Sequence, residues 1–407
     1  MNVELQINNS PNANARFVSW APSPCRIRVT NPAGVIGPTV SLKLSGKSAP
    51  GGGALLFRAG TTGTFANTLT LTVPTNGTSI SFFTAGKFGQ PSVSNGDVSI
   101  EARMGTTLVG SLPLMVRVRK NANTLTDAER DRFIAAYTQL NNQGLGRFQD
   151  FREAHTSASS PQAHFRPGFL PWHRAFILDL ERELQAIDPS VSLHYWRFDK
   201  VADKLFTLDF MGLADATGTL QFSAGNPFRF WVTDGIPGIN RPPHFNTATQ
   251  SANVISENAT LGLGSSYPAF RGMENNPHGF AHTSFGGSIH DIPTAAKDPL
   301  FFMLHCNVDR LWAKWQNRFN RFNPATPASY DSAAAVDPGH HLADTMWPWN
   351  GITGGTRPPT APGGTMAPSP NVSAPGLMPK VSDMLDLQGR SSATARLGYD
   401  YDDVPFA

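Results

Sequence analysis

Histidine is the residue whose placement could carry chemistry in this chain. All 11 histidines lie beyond residue 154, and six of them fall into two groups. His155, His164 and His173 are separated by nine residues each, a spacing that no single helical face supplies. His278 and His282 stand at i, i+4 and project from one face of a helix, with His305 following in the run DPLFFMLHCNVDRLWAKWQ. His173 shares a helical stripe with Ile177, Leu180 and Leu184, and His305 shares one with Phe301, Val308, Trp312, Trp315 and Phe319, so one histidine of each group faces a core. A single core-facing histidine is explained by a hydrogen bond, and an H-x-x-x-H pair occurs in many helices by accident. Six such rings are another matter, because burying that many imidazoles without partners is costly and a metal centre would satisfy them together. Imidazole suits copper, zinc, iron and nickel. Cys25 and Cys306 are the only cysteines and stand about 280 positions apart, which argues against thiolate metal sites and a disulfide framework. A hydrolytic zinc site would need a base beside the i, i+4 pair, and HGFAH lacks the adjacent glutamate of the zinc-protease motif. The residues alone leave copper and zinc unseparated.

Four helices are predicted to position these side chains. The first follows a capping-box pattern, Thr126 with Glu129, and carries Phe133, Ile134, Tyr137 and Leu140 at helical spacing. The second runs from Pro171 to about Ala186, with Pro171 suited to its first turn. The third starts near Pro277, and the fourth spans Pro299 to about Phe319. Gly/Pro-rich stretches at Thr217–Tyr267 and Asn323–Met378 read as loops, and loops that long in a compact domain are usually functional. Residues 1–119 have a different texture. CRIRVT (Cys25–Thr30), VSLKLSG (Val40–Gly46), LTLTV (Leu69–Val73), SISFF (Ser79–Phe83) and MVRVR (Met115–Arg119) alternate apolar and polar residues between turn clusters such as TNGT (Thr75–Thr78). That pattern predicts an antiparallel β-sandwich without catalytic chemistry of its own. The expected fold class is therefore multi-domain α+β, a β-sandwich accessory domain over 1–119 followed by a mainly α-helical domain over 120–407.

Composition bounds the partners. With 407 residues, 40% of them hydrophobic, the chain can bury a substantial core, and its net charge of +3 contains no Lys/Arg block that would serve a nucleic-acid partner. No apolar run approaches the roughly 18 residues of a membrane helix. The start, MNVELQINNSPNA, is neither basic nor apolar, so a cytoplasmic location is the expectation, with export alongside a partner protein as the alternative. Oligomeric state is open.

The stretches FLPWHRAFILDLERELQ and DPLFFMLHCNVDRLWAKWQ resemble the two copper motifs of the type-3 copper proteins, the superfamily of tyrosinases, catechol oxidases (polyphenol oxidases) and molluscan haemocyanins. The His278–His282 pair precedes the DP motif by about 20 residues, as in that family, and LGYDYDD (Leu397–Asp403) resembles its tyrosine-containing closing segment. The resemblance covers about 120–407 and implies a four-helix-bundle dicopper domain. It implies that His155, His164 and His173 hold one copper and that His278, His282 and His305 hold the other, with dioxygen as co-substrate. Asp309 and Arg310 match positions that support the ligands, the other reading being a helix-surface ion pair. Leu304 replaces the histidine that many relatives carry before the last ligand, and Gln162 and Ala163 before His164 leave no cysteine for a thioether bond. Glu274, four residues before His278, matches a glutamate tied to monophenol deprotonation, while its usual asparagine helper is Gly279, a glycine whose presence suggests a need for space. Ile292 falls where plant enzymes place a bulky phenylalanine over the copper, and implies a wider entrance. His290 could touch substrate or face solvent. The implied function is a copper oxidase converting o-diphenols, with o-aminophenols and monophenols as neighbouring substrates, to o-quinones. The alternative from another class is haemocyanin-like reversible dioxygen binding, in which carriers place a β domain after the copper domain, whereas here the β-rich segment comes first.

Overall fold

The computed structural model describes residues 1–143 and 146–406. It divides into two compact units, one of Met1–Val118 with Ser369–Ser373 and the segment from Gly398 onward, the other of Arg119–Pro368 with Ala374–Leu397.

The first unit holds nine strands: β1 (Asn2–Ile7), β2 (Phe17–Val18), β3 (Ser23–Asn31), β4 (Thr39–Ser48), β5 (Leu55–Arg58), β6 (Thr68–Pro74), β7 (Ile80–Gly86), β8 (Val98–Met104) and β9 (Thr107–Val116). They form a four-stranded sheet in the order β1-β3-β7-β5 and a five-stranded sheet in the order β2-β9-β8-β4-β6. Alternation explains why both sheets have an inner face. Val40, Leu42 and Leu44 of β4 and Cys25, Ile27 and Val29 of β3 are buried in one apolar cluster with Phe57, Phe82, Ile100 and Leu114, while their neighbours in sequence point outward. The run Met115–Arg119 is not an independent strand: its first two residues finish β9, because the pairing with β8 begins upstream at Thr107. The segment from Gly398 onward corrects the 120–407 boundary. Trp20 Nε1 donates to the Tyr401 carbonyl at 2.8 Å and Ala21 N–H to Asp400 Oδ2 at 3.0 Å, so LGYDYDD is tied to the β unit from its glycine onward, and only Leu397 stays with the helical one.

Among its described residues the second unit holds eight α-helices: α1 (Asp127–Thr138), α2 (Phe148–Ala154), α3 (Ser160–Ala163), α4 (Phe169–Ile187), α5 (Glu257–Leu261), α6 (Tyr267–Phe270), α7 (Phe280–Thr283) and α8 (Leu300–Phe319). The capping box at Thr126 and Glu129 is formed in full. The helix expected from Pro277 is shorter than its pattern suggested. Asn275–Gly279 is a wide π-type turn interrupted by extended backbone at Asn276, and regular helix begins only at Phe280. No described helix is long and apolar enough to cross a membrane.

α4 and α8 lie side by side around buried charge. Arg174 Nε donates to Asp309 Oδ1 at 2.5 Å, Arg119 donates to Asp309 Oδ2 at 3.2 Å and to Glu181 Oε2 at 2.6 Å, and these side chains are 0–2% exposed. Arg310 is equally buried and pairs with Glu257 at 2.8 Å. Neither Asp309 nor Arg310 is a helix-surface residue. The carboxylate oxygens of Asp309 go to the two guanidinium groups that tie its helix to α4.

Candidate metal centre

Each of the six histidines is delivered by a different piece of local structure. His155 and His164 are the capping residues that end α2 and α3, where the chain leaves helical backbone. His173 sits in the second turn of α4, and His305 in the second turn of α8. His278 and His282 straddle the wide turn and α7, and their rings still meet, at 4.8 Å. The result is two buried triads, His155/His164/His173 and His278/His282/His305, whose candidate ligand nitrogens lie within 4.8 Å of one another in each group. The rings of His173 and His305 stack at 4.1 Å with 8° between planes, which brings the triads together.

Backbone carbonyls orient the rings. Nδ1 of His155 lies 3.0 Å from the Ile292 carbonyl, that of His173 2.9 Å from Phe169, that of His278 2.7 Å from Glu274 and that of His282 2.7 Å from Ile289. A carbonyl can only accept, so each of these bonds fixes the proton on Nδ1 and leaves a lone pair on Nε2. The buried Nε2 atoms of His155 and His173 have no hydrogen-bond partner. Those of His278 and His282 both lie 3.3 Å from Nε2 of His305, which has at most one proton to share between them. Converging lone pairs without protons repel each other, and a cation among them turns that repulsion into coordination. The donor set therefore fits a pair of metal ions.

Over the triads opens a cavity of about 800 Å³, lined in part by His155, His164, His278 and His282. Glu274, Gly279 and Ile292 all line it, and so does His290. Glu274 accepts the Phe165 N–H at 2.6 Å, and burial pushes its carboxyl up to about 7, against the opposing pull of that N–H and of Arg271. Ile292 contributes its carbonyl to His155 as well as its side chain to the wall. Gly279 is not held open by neighbouring protein: a Cβ there would meet only the Glu274 carbonyl, at an ordinary 3.5 Å. Its open side faces the cavity. Sequence reasoning missed Phe169, whose ring packs 4.8 Å from His173 and 4.9 Å from His278, and the four carbonyls; a carbonyl has no residue-type signal to read.

Burial depresses every ligand-set imidazole, His155 to about 3 and His282 to about 4, and His194 elsewhere in the unit also to about 3. Below the unfolded value near 6.5 the unfolded chain takes up protons that the folded chain refuses, so stability falls as pH falls between about 6.5 and 4. The metal-free protein is expected to lose melting temperature as pH falls from about 6.5 towards 5, and saturating copper to raise the melting temperature at every pH while leaving that slope in place, because the folded imidazoles it occupies take up no proton in this range. A melting temperature independent of pH over this range in calorimetry would contradict the assigned burial.

The fold and site define a protein that presents two histidine triads beneath an open cavity, the arrangement of a dinuclear metal protein. A family model described as the common central domain of tyrosinase matches residues 145–318. The chain is 33% identical over 270 residues to a tyrosinase of Streptomyces glaucescens, covering 57% of this chain and 92% of that protein. It is 32% identical over 270 residues to a tyrosinase of Streptomyces antibioticus, covering 58% and 94%, and 29% identical over 266 residues to the grixazone synthase of Streptomyces griseus, covering 50% and 85%. The chain belongs to the tyrosinase family of type-3 copper proteins. It is an enzyme of the tyrosinase and catechol-oxidase type, using copper and dioxygen to oxidise phenolic substrates.

Proposed function

We propose that His155, His164 and His173 hold one copper ion, that His278, His282 and His305 hold the other, and that the preferred substrates are o-diphenols, oxidised to o-quinones. The observation that carries this reading is the convergence of buried, unprotonated Nε2 atoms directly beneath the cavity. Copper, when bound, supplies the redox chemistry with dioxygen; the chain supplies position, water exclusion and proton traffic. Within the same reading, the two sheets of the first unit form a sandwich, antiparallel except for the short parallel pair of β2 with β9. α4 and α8, with α2 and the segment Asn275–Thr283, form the four-helix arrangement around the site.

Glu274 is the group placed to take a proton from a bound phenol, because its carboxyl is buried on the cavity wall and poised near neutrality. Gly279 offers no side-chain amide to hold a water against that carboxyl, which favours diphenols over monophenols. Glu274→Gln is expected to lower monophenol hydroxylation by about tenfold or more, with a much smaller effect on 4-methylcatechol. Gly279→Asn, for which the wall has space, is expected to raise the ratio of monophenol to diphenol rates severalfold. Parallel initial rates on tyrosol and 4-methylcatechol test this, and equal losses on both substrates in the glutamine variant would remove Glu274 from the proton path.

A further inference from the structure

Phe165 is out of place by every ordinary rule. It follows His164, and its φ of 60° lies in the left-handed region, which a bulky side chain rarely adopts. Its side chain is 65% exposed although it is purely apolar. Residues in such conformations persist only where the surroundings over-determine them, and here they do. The Phe165 N–H is held by Glu274 Oε1 at 2.6 Å, Arg166 pairs with Asp337 at 2.9 Å, the Pro167 carbonyl accepts the Tyr267 hydroxyl at 2.5 Å, and Gly168 N–H donates to His340 Nδ1 at 3.2 Å. Four consecutive residues are pinned, and the outcome is a phenyl ring presented to the cavity.

Among the described residues that line this cavity, Phe165 is the only Phe, Tyr or Trp. Of the imidazoles that line the cavity, His155, His278 and His282 have their rings fixed through Nδ1 by backbone carbonyls. A phenol that turns its hydroxyl groups towards them needs a partner for its ring face, and the apolar candidates on the wall are Phe165, Pro268, Ile292 and Pro293. Only the first can stack. The volume of about 800 Å³ lies high in the range of small-molecule pockets, so a one-ring substrate without such a partner would be poorly fixed.

We propose that Phe165 is the substrate-positioning residue of this cavity, its strained backbone holding the phenyl ring where it stacks on the ring of the incoming phenol. The inference rests on the phenol-oxidase reading above. Positioning predicts an effect on KM, not on the chemical step. The test uses copper-loaded full-length Phe165→Tyr, Phe165→Leu and Phe165→Gly with 4-methylcatechol, measuring kcat, KM, copper content and melting temperature. The leucine and glycine variants are expected to raise KM roughly three- to tenfold, the scale of one aromatic contact, while the tyrosine variant restores the parent KM. Copper content should be unchanged in all three, and the glycine variant should melt no lower than the parent, because glycine accepts positive φ without strain. An unchanged KM in Phe165→Leu overturns the proposal. So does a loss of copper or of melting temperature common to leucine and tyrosine, which would make the ring structural. Failure of the parent protein to oxidise 4-methylcatechol would sink the phenol-oxidase reading itself, a separate result.

Discussion

Replacing His305 by alanine is expected to remove one copper from each chain and to reduce catechol oxidation to the rate of the copper-free protein. No other histidine of the site is placed so centrally. Its Nε2 lies 3.3 Å from those of both His278 and His282, and its ring stacks at 4.1 Å on His173 of the other triad. Alanine leaves two imidazoles facing each other with nothing to complete the set, and a two-coordinate remnant cannot compete for the ion. The side chain is completely buried between Phe301 and Phe169, so the variant also creates a void whose cost falls in the range of about 2–5 kcal/mol for large-to-alanine changes. Elemental analysis separates these effects: a folded variant with one copper and no activity is the expected outcome. A folded variant that keeps both coppers and oxidises catechol would show that His305 is not a ligand.

Asp309→Asn is expected to be the most destabilising single-charge change in the helical unit, by about 3–5 kcal/mol. It keeps the shape of the side chain and deletes the charge that faces Arg174 at 2.5 Å and Arg119 at 3.2 Å, both guanidinium groups 0% exposed. Glu181 remains beside Arg119, but Arg174 loses its ion-pair partner while its guanidinium stays completely buried. The effect should reach the metal. Arg174 directly follows His173, and Asp309 lies one turn beyond His305, so the ion pair fixes the approach of the two longest helices at the height of their ligands. Copper affinity is expected to fall about 10- to 100-fold, as when groups supporting a ligand are removed. Denaturant titration with and without copper checks both effects, and a loss below about 1 kcal/mol would mean that the pair is compensated elsewhere.

Much of the site was legible because its residue types are rare and its spacing constrained. Two core-facing histidines on apolar stripes, an i, i+4 pair and two further histidines upstream, sorted by the family resemblance, pointed to the six rings that the structure brings together, and the helices carrying His173 and His305 extend over nearly the expected ranges. Strands β3, β4, β6 and β7 followed from alternation, with boundaries displaced by one to three residues. What escaped has physical reasons. The π-type turn at Asn275–Gly279 depends on how the backbone is closed at Asn276, for which side-chain periodicity has no signature. The burial of Arg119 and Arg174 has no sequence signal, since a guanidinium is buried only where distant carboxylates meet it, and Glu181 and Asp309 come from other elements. The segment from Gly398 onward was attached to the wrong unit, because it meets the connection between β2 and β3 at Trp20 and Ala21, which are far away in sequence. Gly279 suggested a need for space, and the space is that of the cavity it lines, not of a neighbouring side chain.

Oxygen consumption with 4-methylcatechol, followed together with quinone absorbance in protein of known copper content, tests the central claim most directly. The account predicts turnover that requires both coppers and consumes one dioxygen for every two quinones formed, the balance of a four-electron reduction to water. Tight binding of two copper ions without dioxygen uptake or quinone would contradict it.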